Sequence, residues 1–279
     1  MTTRFGDRRS TRGQRGPPGP TGKSAFDLAA WCPNQILEIF RKSEALRYYF
    51  NTLTDGITPG VAIKNRTIKG VSNAVLLEGE FPKLSKTGSG KYYILELRDC
   101  IFKIDKFHTG ITLNSSILYA ISWKPLSNTS DDTFIFSNRR ATRAISIRNR
   151  DAQGIVTIHS NAGGKMELLC DPKHWNYIII QYAMNMHGHT EGSFMLNGKI
   201  GIFFPADITH EPADDVLYMG GNPESKIYTK KSAVSIGSFE VHRTFGASQI
   251  LPDNITSLIT ADMEARCEGW DKANPGKER

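Results

Sequence analysis

Hydrolysis of a glycosidic bond needs two carboxylates about 5–10 Å apart across it, so the spacing of acids is the first test for catalysis in this chain. Glu96 and Asp99 are three residues apart in Glu96-Leu97-Arg98-Asp99, which in a strand puts them on opposite faces. Glu78 and Glu80 would share a face, but beside a turn. No G-x-S-x-G, P-loop or H-E-x-x-H segment occurs, so an enzyme is not expected. His187-Gly188-His189 sets two imidazoles in a predicted hairpin tip. They could take a metal or a sugar hydroxyl, or form no more than an exposed polar turn. The cysteines, at 32, 100, 170 and 267, make no C-x-x-C pair and no zinc spacing with histidine. Cys100 and Cys170 end apolar runs and read as buried thiols. Cys32 and Cys267 lie near opposite ends of the chain and would meet only if the termini pack together.

The elements that must position these residues are strands. From Tyr48 to about 245, β-branched and aromatic runs recur at 74–81, 91–104, 115–124, 133–138, 143–150, 154–160, 165–170, 174–184, 192–204, 216–221 and 233–245. Most are bounded by Gly, Asn, Asp or Pro. The alternation from Arg143 to Arg148 predicts one buried face and one wet face. Some dozen antiparallel strands predict an all-β fold, a two-sheet antiparallel jelly-roll sandwich. Asn197-Gly198 supplies the positive φ of a two-residue hairpin turn. After Pro252-Asp253-Asn254, the spacing of Ile255, Leu258, Ile259 and Met263 predicts a short C-terminal helix, with Asp253 or Asn254 as N-cap.

The N-terminus differs in kind. Residues 1–23 hold Arg4, Arg8, Arg9, Arg12, Arg15 and Lys23 against Asp7 alone, a balance of +5. Since the whole chain carries +7, only +2 remains for everything after Lys23. A basic tail of this kind can touch nucleic acid, an acidic partner or a membrane surface, or simply keep the chain solvated. Gly13, Gly16, Gly19 and Gly22 fall on a strict three-residue period, which is collagen-like: only Gly fits the axis of a triple helix. The same segment also fits a flexible Pro/Gly linker. Ile36, Leu37, Ile39 and Phe40 form one apolar helix face over about 34–42, with Pro33 at its start and Glu38 paired to Lys42. That helix is either a trimerising neck or packs back on its own domain. The expected organisation is a basic, collagen-like tail (1–23), a helical neck (24–50), a sandwich (51–260), and a helix end with a polar tail (261–279).

Composition bounds the rest. With 279 residues, 39% of them hydrophobic and 23% charged, the bulk of the chain is globular. No run of about 18 apolar residues occurs, so a membrane helix is not expected. Nor does an apolar stretch follow the first basic residues, so no secretory signal is expected. On that reading the sequons at Asn65, Asn114, Asn128 and Asn254 go unused.

The stretch 174–259 resembles the second half of a laminin-G-like, concanavalin A-like jelly roll. The likeness is carried by His174-Trp175-Asn176-Tyr177-Ile178-Ile179-Ile180, by the hairpin from Met184 to Gly192, and by Phe194 to Lys199 around the Asn-Gly turn. Leu217-Tyr218-Met219-Gly220-Gly221, Gly237-Ser238-Phe239-Glu240-Val241 and Leu251 to Ile259 complete it. Upstream, Ser115 to Ser127 fits the first core strand of such domains. The resemblance implies a lectin-like sandwich: many relatives of this kind are glycosidases, whose carboxylate pair this chain lacks, and others bind carbohydrate, sometimes through calcium at the rim. Candidate sugar contacts are then His187 and His189, with Trp123 and Tyr218 as aromatic platforms, although a core role also fits both rings. Candidate calcium ligands are Asp131 and Asp132, with Asp207, Asp214 and Asp215 in other loops.

The tail, collagen-like leader, neck and sandwich together resemble the fibre or spike subunits of viruses and phages, and some trimeric secreted lectins. The resemblance implies a virion surface protein that attaches to a host glycan or receptor, with no membrane partner. Gly13, Gly16, Gly19, Gly22, Ile36 and Phe40 would join three copies. The rivals are a coat or minor capsid protein held by residues 1–23, and an extracellular collagen-lectin.

Overall fold

The computed structural model describes residues 46–51, 63, 73–82, 84–86, 93–105, 115–126, 133–139, 144–150, 153–159, 164–184, 190–203, 216–224, 233–245, 259–261, 263–264 and 267. Their strands, in chain order, are β1 (Leu46–Asn51), β2 (Ala74–Glu78), β3 (Leu84–Lys86), β4 (Tyr93–Arg98), β5 (Ile101–Asp105), β6 (Ser115–Pro125), β7 (Thr133–Asn138), β8 (Ala144–Arg150), β9 (Gln153–His159), β10 (Lys165–Cys170), β11 (Asn176–Met184), β12 (Thr190–Leu196), β13 (Lys199–Phe203), β14 (Val216–Met219) and β15 (Ala233–Phe245). The first sheet runs β13-β12-β11-β6-β15-β4-β3, with β1 also on β15, and the second runs β10-β9-β8-β7-β14-β5-β2. Every pairing is antiparallel. The chain is thus the two-sheet antiparallel sandwich that its strand pattern predicts.

The two-residue period of each strand decides what enters the core. Ile117, Tyr119, Ile121 and Trp123 of β6 point inward, as do Ile178, Ile180 and Tyr182 of β11. Phe136, Ile145, Ile147, Val156 and Ile158 meet them from the second sheet. Tyr119 stacks on Phe136 with ring centroids 4.7 Å apart, and Phe136 tilts against Phe239 at 5.5 Å. Such pairs add to the burial of their own area. The Tyr182 hydroxyl donates to the His159 carbonyl at 3.2 Å, one polar link between the sheets.

Four observations differ from the strand pattern or extend it. The run 91–104 is two strands, β4 in the first sheet and β5 in the second. Asp99 takes a φ of 49° between them and carries the chain across. Gly220, at a φ of +84°, lies against this turn; a Cβ there would sit 2.5 Å from the Cys100 carbonyl, so only glycine fits. Second, the other face of β8 is not wet, since Ala144 and Ser146 are as buried as Ile145 and Ile147. Third, β1 (46–51) takes up the last five residues of the stretch expected as neck and the first of the sandwich. The rest of residues 1–50 lies outside the described residues, including Gly13, Gly16, Gly19, Gly22, Ile36 and Phe40. Fourth, residues 259–261, 263–264 and 267 are helical, and Ile259, Met263 and Cys267 are buried. The Ser238 hydroxyl donates to the Met263 sulfur at 3.3 Å, and the hydroxyls of Ser238 and Ser122 share a bond of 2.7 Å. These small residues on the outer face of the first sheet let the helix approach closely.

Candidate functional site

The corner between β10 and β11 is built by three polar side chains. Asp171 accepts the backbone N–H groups of Lys173 (2.8 Å) and His174 (3.1 Å), and its second oxygen lies 2.9 Å from His174 Nδ1. Asn176, fully buried, donates from Nδ2 to the carbonyls of Asp171 and His174 and accepts the Asp171 N–H. Asn197 then ties the next hairpin to this corner: its Nδ2 donates to Asn176 Oδ1 at 2.8 Å, and its Oδ1 accepts the Tyr177 N–H at 2.9 Å. Asn197 (φ 47°) and Gly198 (φ 80°) form the type I′ turn that the sequence predicts. Trp175 is buried, as a plug at the start of its strand should be.

A cleft of about 500 Å³ opens beside this corner, lined by Gln153, Leu169, Cys170, Lys173, Asn197 and Lys199 among others. It joins the ends of both sheets at the β10 and β13 edges. Burial would raise the Asp171 pKa. The donors from Lys173 and His174 outweigh that and hold the carboxyl below its ordinary value. Burial, then the charge of Asp171, pushes the Cys170 thiol up to about 12. At pH 8 such a thiol is only about one part in ten thousand thiolate. Cys170 should therefore stay unmodified when folded protein meets a neutral thiol reagent at pH 8, despite lining the cleft. Peptide mass mapping after labelling checks this, and prompt labelling of Cys170 would contradict it.

A second polar network surrounds Tyr218, which is 2% exposed on the outer face of the second sheet beside Ile101 and Val216. Its hydroxyl donates to Glu224, whose other oxygen lies 3.1 Å from Arg139 Nε. Burial, then the bond to Glu224, raises the phenol pKa. Asn222 anchors the returning chain, donating to Ser137 Oγ (2.8 Å) and to the Asn138 carbonyl (3.0 Å) while accepting the Glu224 N–H.

Two of the residues expected to hold a sugar are buried, Trp123 in the main core and Tyr218 on the outer face of the second sheet. Tyr218 is a buried strut with a committed hydroxyl. Trp123 is 0% exposed, and its indole N–H has no partner among the described residues. Burial of both rings fits the core role that the sequence also allows for them. His187, His189, Asp131 and Asp132 lie outside the described residues, as do Asp207, Asp214 and Asp215. Among the described residues, no three His, Cys, Asp or Glu side chains are grouped to hold a metal. Sequence reasoning passed over Lys173, Lys199 and Gln153. The only local signal was the turn chemistry of Asp171-Pro172-Lys173 and Asn197-Gly198-Lys199 that sets the cleft walls.

No family model matches the chain, and no curated protein matches its sequence. Solved structures do match its fold. One is of botulinum neurotoxin type C, described as depending on interaction with two ganglioside molecules to enter cells (TM-score 0.50, 10% identity, 82% of this chain and 53% of that one). A second is the binding domain of botulinum neurotoxin serotype D/C (0.50, 11%, 81% and 53%). A third is the serotype D ligand-binding domain in complex with N-acetylneuraminic acid (0.50, 12%, 80% and 52%). The chain spans about half the length of these structures. At such identities the likeness is one of fold, and that fold is a two-sheet antiparallel, jelly-roll β-sandwich.

Proposed function

We propose that this chain is a non-enzymatic virion surface protein of the spike or fibre type, whose lectin-like sandwich attaches to a host glycan or receptor, a glycan being the ligand its cleft fits best. The observation that carries the reading is the cleft at one end of a lectin-like sandwich, where apolar and uncommitted polar side chains meet in a concave surface. Ganglioside and N-acetylneuraminic acid, named for two of the fold neighbours, support a saccharide as the ligand. The collagen-like leader would join three copies, and trimerisation would multiply weak sugar contacts by avidity. The alternative is a coat or minor capsid protein, favoured by the +5 balance of residues 1–23, which would anchor it to the shell or genome.

A glycan-array screen of the whole protein, with and without EDTA, separates the two. Saturable binding to one glycan class is expected. Loss of that binding in EDTA would place calcium at loop aspartates such as Asp131 and Asp132. A blank array from folded protein would transfer the reading to the structural role.

A further inference from the structure

We infer that the end cleft takes an acidic saccharide, one bearing a carboxylate or a sulfate, and that Lys173 and Lys199 hold its charge. The inference rests on the glycan-binding reading and adds the ligand class and the residues.

Several polar groups around the cleft are already committed. Both Asn197 side-chain atoms are spent on Asn176 and Tyr177. Asp171 is the only acid among the described residues of the lining, and its oxygens are occupied by two backbone N–H groups and His174. The Cys170 thiol is neutral at physiological pH. Among the described residues, what remains uncommitted is the ammonium of Lys173, the ammonium of Lys199 and the amide of Gln153. None of the three side chains has a hydrogen-bond or ion-pair partner among the described residues. Two cations then face the cleft against one carboxylate that is already compensated. Beside them Leu169 is 69% exposed, a large apolar side chain left on an edge strand.

An acidic sugar matches this set group by group. Its anion meets the two ammoniums, a ring hydroxyl meets the Gln153 amide, and the apolar C–H face of the pyranose lies on Leu169. A neutral sugar would leave both cations unanswered, and a purely apolar ligand would desolvate them without return. The lysines are exposed, so the attraction is screened and affinity should fall as salt rises.

The test titrates the full chain with sialyllactose, with a heparin-derived sulfated oligosaccharide and with lactose, each at low and high salt. At least one acidic probe should bind and lactose should not. A response to sialyllactose alone identifies a carboxylate ligand, and a response to the heparin fragment alone a sulfated one. The K173E/K199E double variant should bind at least about tenfold more weakly, with its thermal unfolding unchanged. Lys199→Arg, which keeps the charge, should retain binding. Unaltered affinity in K173E/K199E, or binding of neutral glycans alone, would overturn this inference and leave the glycan-binding reading standing. Failure of every glycan, acidic or neutral, would overturn both.

Discussion

Trp123→Ala should lower the stability of the folded chain by about 3–5 kcal/mol, the loss that accompanies removal of a buried indole. Trp123 sits at 0% exposure in the middle of the first sheet, opposite Asn176 on β11 and Ile236 on β15. The truncated site would be walled by strands paired on both sides, which limits how far it can collapse. Trp123→Phe should cost much less. It keeps most of the apolar volume and removes an indole N–H that has no partner. The pair of variants also separates a core role from a sugar platform. If the ring is purely structural, Trp123→Phe retains glycan binding, and Trp123→Ala loses it only in step with its unfolding, read by urea or thermal denaturation. A Trp123→Ala protein with wild-type stability and no glycan binding would refute the core assignment.

The features legible in the sequence are those decided by a few adjacent residues. Asn197-Gly198 announces its turn because the backbone there needs positive φ at both positions, and those residue types provide it. The inward alternation of Ile145 and Ile147, and the helix face of Ile259 and Met263, follow from period alone. What period cannot show is which sheet a strand joins, or what covers its other face. The run 91–104 is broken by the adjacent charges Arg98-Asp99 before apolar residues resume at Cys100, Ile101 and Phe102, and such a charged interruption does not say that β4 and β5 join different sheets. Ser146 looks like a wet position and is buried, because its partner is His159 on the neighbouring strand. Tyr218 reads as an available aromatic. Its hydroxyl is committed only because the chain turns at Gly220 and brings Glu224 back to it. The cleft is the least legible feature. Its walls come from the start of β9, the β10–β11 corner and the β12–β13 hairpin, and no spacing rule links those segments.

Acid should weaken the fold through His159, by about 3 kcal/mol in all between pH 6.5 and pH 4. His159 is 4% exposed, and its Nε2 and the Ser146 hydroxyl share a hydrogen bond of 2.6 Å. It stands opposite Ala144 on β8 and Lys165 on β10. Burial, then the positive charge of Lys165, lowers its pKa from 6.5 to about 4. The folded protein therefore keeps the ring neutral in a range where the unfolded chain takes up a proton. Stability from this residue is complete above pH 6.5, declines as the pH falls, and is fully lost once the pH passes below the folded value near 4. Asp171 titrates in a lower window. Its pKa is held below 3.8, so its contribution is lost as the pH falls through and beneath that value, a change common to wild type and His159→Gln that cancels in the gap between them. Urea denaturation of wild type and His159→Gln at pH 7, 5.5 and 4.5 isolates the effect. The variant has no proton to bind at this position, so the stability gap between it and the wild type should narrow or reverse as the pH falls. A gap that is constant across the three pH values would mean that His159 titrates alike in folded and unfolded chains, and that the buried pair with Ser146 does not hold the ring neutral.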